Sequence, residues 1–287
     1  MQLHVLASGC PQPLPDWYGS AFILDMGSDA VLIDCGPATT YRMARMGISM
    51  GRIGHVFFTH HHFDHNADFP CFALTRWDFS TGAEPPLKVY GPPPTERFVD
   101  RLLGEEGAFV DDWKSRIDHP VSQEIHRRRK GVLPRPAPAI EAKDVGPGKV
   151  AESDSWTATA ARVRHVEPTL ESLVYRFDTE QGSVLFAGDC ADCPELRALA
   201  KGVDTLVLAC ALLGRSEQNV PILDVITGST EAAEIAQDTG VGRIILTHVS
   251  PTFARPGARE RAIAEVARSY DGAIVFPDEL TTVPLTE

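Results

Sequence analysis

The stretch Thr59-His60-His61-His62-Phe63-Asp64-His65-Asn66-Ala67-Asp68 puts four histidines and two carboxylates into ten residues. It follows directly on the apolar run His55-Val56-Phe57-Phe58, so an extended strand would deliver the imidazoles to the end of a sheet, open to solvent. Histidine and aspartate at this density suit a borderline ion such as Zn²⁺, with Mn²⁺ or Fe²⁺ as competitors where oxygen donors count. The chemistry such a cluster serves best is metal-dependent hydrolysis. The missing ligands must then come from elsewhere in the chain.

Upstream, Leu3 to Ala7 reads as a first strand, and a Pro-rich loop runs from Pro11 to Pro15. Ala21–Asp25 and Ala30–Asp34 form a hairpin pattern around Gly27-Ser28-Asp29. Downstream, His65 to Phe79 has apolar residues near helical spacing, Leu87–Tyr90 is a strand, and Glu96–Leu103 a helix capped at Thr95. From about 104 to 148 no regular pattern is readable. Its prolines and the run Arg127-Arg128-Arg129-Lys130 suggest an insertion or lid over one domain spanning 1–287. After Val150 strands and helices alternate again. His165, Asp189 (after Gly188) and His248 each stand at the end of such a strand. Each, taken singly, is better explained by a structural hydrogen bond than by a metal.

The chain has 287 residues, 43% hydrophobic and 23% charged, a globular composition. No apolar run approaches the roughly 18–20 residues of a membrane span, and the N-terminus lacks a secretion signal, so a cytoplasmic setting without membrane contact is expected. The net charge of −12 speaks against a nucleic-acid partner, because phosphate contacts demand a positive field. The basic run is read as a solvated loop. The six cysteines are expected to be free thiols, and Cys190-Ala191-Asp192-Cys193 lacks the second pair of a zinc knuckle.

Taken together, Thr59-His60-x-His62-x-Asp64-His65, His165, Phe186-Ala187-Gly188-Asp189 and Leu246-Thr247-His248 resemble the metallo-β-lactamase superfamily, with Leu32-Ile33-Asp34-Cys35-Gly36 matching its early strand end. The resemblance covers nearly the whole chain. It implies an α/β fold, an αββα sandwich of two mixed sheets flanked by helices, with a dinuclear metal site at one edge. Carried over, His60, His62 and His165 would hold one ion, Asp64, His65 and His248 a second, and Asp189 would bridge them. Two Zn²⁺ ions are the implied cofactors, and Asp64 would also orient the nucleophile. The spacing agrees: on an extended chain His60 and His62 point one way and His61 the other.

Tyr90-Gly91-Pro92 and a Gly-Ser-Thr before a late helix look like the ribonuclease Z and phosphodiesterase-like branch. That branch carries a histidine in Gly-His-Ser-Thr. Here Gly228 stands in its place, within Thr227-Gly228-Ser229-Thr230. With the acidic charge, this departure leads the sequence reading to an ester-type bond (lactone, carboxylic ester or activated phosphoester) in a small-molecule substrate. A ribonuclease Z-like nuclease is the alternative, and a mononuclear iron oxygenase a second. Relatives in the superfamily are often dimeric, which extends the expectation to a homodimer. Pocket walls are expected from Pro11–Tyr18, 104–148 and 212–227, with Trp17, Tyr18, Trp113 and Leu212 as wall residues.

Overall fold

A computed structural model of the chain describes residues 1–215 and 220–286. The first half runs β1 (Gln2–Ala7), β2 (Ala21–Asp25), β3 (Ala30–Ile33), α1 (Thr39–Arg45), β4 (Ile53–Phe57), α2 (Phe63–Asn66), α3 (Phe69–Asp78), β5 (Leu87–Gly91), α4 (Thr95–Leu103), α5 (Val110–Asp118), α6 (Pro120–Arg128) and β6 (Ile140–Asp144). The second runs β7 (Gly148–Glu152), β8 (Trp156–Val163), β9 (Ser172–Thr179), β10 (Gly182–Phe186), α7 (Pro194–Ala200), β11 (Thr205–Ala209), α8 (Val220–Leu223), α9 (Ser229–Thr239), β12 (Arg243–Thr247), α10 (Ala258–Val266), β13 (Ala273–Val275) and β14 (Thr281–Pro284).

The strands form two seven-stranded sheets, ordered β14-β1-β2-β3-β4-β5-β6 and β13-β12-β11-β10-β9-β8-β7. Each is antiparallel on the hairpin side and parallel beyond it, through β3-β4-β5-β6 and β10-β11-β12-β13. Continuous apolar runs, rather than alternating ones, mark strands covered on both faces. In β4 Phe57 packs between the sheets while Val56 faces the helices; in β12 Ile245 and its neighbours Ile244 and Leu246 divide the same way. Phe57, Tyr175 and Phe177 meet edge-to-face across the sandwich, at 5.3 and 5.0 Å from the Phe57 ring. Helices α1, α3 and α4 cover the outer face of the first sheet and α7, α9 and α10 that of the second. The αββα sandwich follows from the residue pattern.

Three segments differ from the sequence reading. The helix expected from His65 is two pieces, α2 and α3, broken where the Asp68 amide donates to the Cys35 carbonyl. The segment 104–148 contains α5, α6 and β6. It is unreadable in the sequence because α5 buries only Trp113 and α6 only His126, leaving no apolar stripe. Its contacts run to the C-terminal end of α3: Arg135 lies over the Trp77 ring and binds Asp78, and Trp77 donates to the Pro136 carbonyl. Strand β14 has no counterpart in the sequence reading; Leu3 and Val5 of β1 supply its register. No helix among the described residues is long and apolar enough to cross a membrane.

Candidate metal centre

The parallel strands of both sheets end at one edge, where ligands of open α/β sheets gather. The chain leaves β4 through Phe58 and Thr59 into His60 and His62, then turns into α2, which carries Asp64 and His65. From the second sheet come His165 after β8, Asp189 after β10 and His248 after β12. Only glycine fits at 188, where φ is +33° and a Cβ would meet the Thr59 side chain at 2.9 Å. Asp34 and His248 hold left-handed backbone at φ 57° and 64°, a strain that concentrates at working sites.

The seven residues named by the sequence come together as two groups, His60/His62/His165 and Asp64/His65/Asp189/His248, each with donor atoms within 4.8 Å of one another. His62 Nδ1 lies 3.0 Å from His60 Nε2 and 3.3 Å from His165 Nε2. In the second group His65 Nε2 is 3.5 Å from Asp64 Oδ2 and 3.7 Å from Asp189 Oδ1, and His248 Nε2 is 3.0 Å from Asp189 Oδ2. His61 points elsewhere: it bonds Thr95 Oγ1 at 2.8 Å and Asn66, and burial pushes its pKa down to about 4. Asp68 accepts from the Thr40 amide.

Electrostatics separate the groups. Burial, with His65 next, holds His60 well below the ordinary imidazole value, and burial with His165 lowers His62. Burial also opposes charge on His65, but Asp34 and Asp189 outweigh it and raise its pKa well above normal. Asp189 is buried yet held well below the carboxylate range by His248 and His65.

Both oxygens of Asp64, His65 Nε2, Asp189 Oδ1 and both ring nitrogens of His248 are buried without a hydrogen-bond partner. His248 Nε2 stands close to Asp189 without hydrogen-bond geometry. Orphaned buried donors and acceptors are costly, and here they all belong to the Asp64/His65/Asp189/His248 group. A divalent cation fits this set of imidazole and carboxylate atoms, which lacks the cysteine-rich closure of structural zinc.

Two contributors go unassigned in the sequence reading. Asp34 accepts from the Thr59 amide at 2.8 Å, from the Thr59 and Ser20 hydroxyls, and from His65 Nδ1 at 2.7 Å. Its position at a strand end is visible in the sequence; its role is not. The Glu279 side chain is buried, accepts from the Ser8 and Tyr18 amides at 2.8 Å each, and pairs with Arg42. Contacts across 271 residues leave no local signal. Ser8 and Gly9 line the same small cavity as Asp34, His65, Asp189 and His248. Of the expected wall residues, Trp17 lies under Arg259 and Tyr18 under Arg42. Leu212 packs beside Ala209, Ala211 and Ile226, while Trp113 is buried in α5. Residues 216–219 of the expected 212–227 wall lie outside the described residues.

Residues 29–249 match the model of the β-lactamase superfamily domain, and the chain belongs to that superfamily as a metallo-β-lactamase-fold hydrolase. The ribonuclease Z of Mycobacterium bovis is 31% identical over 99% of this chain and 98% of its own length. The chain falls in the ribonuclease Z branch. Among solved structures, YhfI from Bacillus subtilis superposes with TM-score 0.72 at 16% identity, covering 98% of each chain. Human short-form tRNase Z superposes at 0.70 and 17%, covering 99% of each; both likenesses bear on the fold. These relatives overturn the expectation of a small-molecule substrate with nucleic acid disfavoured, since the full-length relatives are ribonucleases. The reason is physical: a net charge of −12 averages over the surface and says nothing of a local patch.

Proposed function

We propose that the chain is a dinuclear, zinc-dependent phosphodiesterase that hydrolyses RNA. The observation that carries this reading is an end-to-end match to ribonuclease Z in a chain whose seven candidate ligands meet at one sheet edge. His60, His62 and His165 would hold one ion, and Asp64, His65 and His248 the other. Asp189 belongs to the second group by distance and, by the family pattern, to both. Bound there, the ions would supply Lewis acidity and lower the pKa of water toward neutrality. Asp64, with two buried and unpartnered oxygens, orients the attacking water and accepts its proton. Val225 fixes His165 through its backbone carbonyl, 2.6 Å from Nδ1, and Asp34 fixes His65 through its carboxylate, 2.7 Å from Nδ1. A cytoplasmic setting accords with six free cysteines, of which Cys190 is buried with its pKa pushed well up.

The test offers zinc-loaded protein a structured precursor RNA and bis(p-nitrophenyl) phosphate, with metal content measured alongside. Two zinc per chain and cleavage of both substrates are expected, with Asp64→Asn at least about 10²-fold slower, the usual scale of general-base loss. Metal-loaded protein that leaves both substrates intact, or an Asp64→Asn variant of undiminished rate and full metal content, would sink the reading.

A further inference from the structure

From Arg116 to Arg135 the chain carries six Lys and Arg against two Asp and Glu, inside a protein of net charge −12. The fold places these charges together. Arg135 at 2.8 Å, Arg116 at 3.6 Å and Arg129 at 3.7 Å converge on the single carboxylate of Asp78, and Arg116 also binds Asp112. Arg127 and Arg128 share Glu124, and Lys130 is exposed beside them in a left-handed turn. More positive than negative charge therefore accumulates at the C-terminal ends of α3 and α6, mostly on exposed side chains.

This cluster closes one end of a groove of about 720 Å³ between α3 and α5. The groove's lining begins at Ala67, directly after the α2 turn bearing Asp64 and His65, and runs along α3 past Leu74 to Asp78, Phe79 and Arg116. Phe79 is 68% exposed, with the Arg129 guanidinium 4.7 Å from its ring centre, and Phe109 is exposed on the opposite wall. Exposed rings, one of them under a cation, resemble the platform that single-stranded nucleic acid uses: bases stack on the rings while cations follow the phosphates.

We infer that the α3–α5 groove and the cations beyond it are a docking track for a single-stranded part of an RNA substrate whose scissile bond lies at the metal centre. The inference rests on the RNA-hydrolase reading above. Charge complementarity selects the occupant at the cation end, which opposes the sign of the rest of the molecule, while the groove itself, lined by Asp78, Asp112 and Arg116, offers apolar and aromatic walls. The track also explains how so acidic a chain engages a polyanion: attraction is confined to one side and repulsion over the remainder sets orientation.

The experiment compares wild type, Phe79→Ala, and a variant combining Arg127→Gln, Arg128→Gln, Arg129→Gln and Lys130→Gln. Each is measured for binding of an RNA with a single-stranded extension across a salt series, and for hydrolysis of bis(p-nitrophenyl) phosphate. The fourfold variant should bind RNA about tenfold or more weakly at low salt. Its log–log salt slope should flatten by about 0.7 for each phosphate that is no longer neutralised. Phe79→Ala should lose several-fold in affinity with its slope unchanged, and both variants should keep wild-type activity on the small diester. Unchanged RNA affinity and slope in the fourfold variant overturn the inference, as does wild type that cleaves the small diester without binding RNA. Anionic phospholipid vesicles are titrated in parallel; if the four substitutions abolish vesicle binding and leave RNA binding intact, the surface is a membrane contact and the inference fails. Wild type that binds RNA through these residues yet cleaves no phosphodiester would instead overturn the proposed function and leave the track standing.

Discussion

Asp34 lies between the Thr59 amide, two hydroxyls and the Nδ1 of His65. This fixes both the ring and the tautomer of His65, leaving Nε2 to face Asp64 and Asp189. Substituting Asp34→Asn keeps an acceptor but removes the charge behind the imidazole. We expect zinc affinity to fall about 10- to 100-fold, the range seen for partners of ligating histidines. Competition against a chelator measures it, and affinity equal to wild type would refute the role. At this scale the sequence is most informative where ligand types are dense. His60 to His65 announce themselves, and His165, Asp189 and His248 are found by position at strand ends. Asp34 is a single aspartate ending a strand, and its chemistry appears only once β3 and β4 lie side by side.

Helix α9 begins where the related branch has a histidine. Gly228 is its N-cap; its amide donates to Glu231 Oε2 at 3.1 Å, and Glu231 in turn binds Arg215. No side chain at 228 can give a proton to the departing oxygen. Hydrolysis across a series of phosphodiesters should therefore slow steeply as the leaving group becomes more basic. A Gly228→His variant should flatten that dependence, raising rates for the most basic leaving groups at least about tenfold. A Cβ there comes to 3.0 Å from Glu231 Oε2, the end of a side chain, and to 3.3 Å from the Leu212 carbonyl oxygen, which must give by a few tenths of an ångström. Identical leaving-group slopes in the two proteins would show that position 228 plays no part. Elements are legible in proportion to their apolar patterning: α9, with Ala232, Ile235 and Ala236 buried, is visible in the sequence, whereas α5 and α6, each burying one residue, are not.

At the scale of the whole molecule, the two sheets share a core in which His55 is an exception. Its ring stands 5.0 Å from Trp156 of the opposite sheet and 6.1 Å from Tyr90, and Nδ1 is buried without a partner. Burial lowers its pKa, only partly offset by Asp29. Above about pH 6.5 both folded and unfolded chains carry it neutral and it has no effect on stability. As pH falls below that, the unfolded chain takes up the proton first, so stability declines until the depressed folded value is reached. A His55→Leu variant should lose less stability than wild type between pH 7 and pH 5.5 in urea titrations; equal losses would remove His55 as a cause. The αββα order itself is readable because hairpin-then-crossover patterning occurs twice. How the two halves face each other depends on aromatic contacts between residues more than a hundred positions apart, such as Phe57 and Phe177, which periodicity does not reveal.

The clasp of Glu279 on Ser8 and Tyr18 has a consequence in time. A ribosome adds about 5–20 residues each second, so the loop walling the metal centre is synthesised roughly 14 to 54 s before the carboxylate that secures it, 271 residues later. All seven candidate ligands have left the peptidyl-transfer centre by then. The seven candidate ligands can therefore be assembled before the loop beside them is fastened, because the carboxylate that clasps it is made after every one of them.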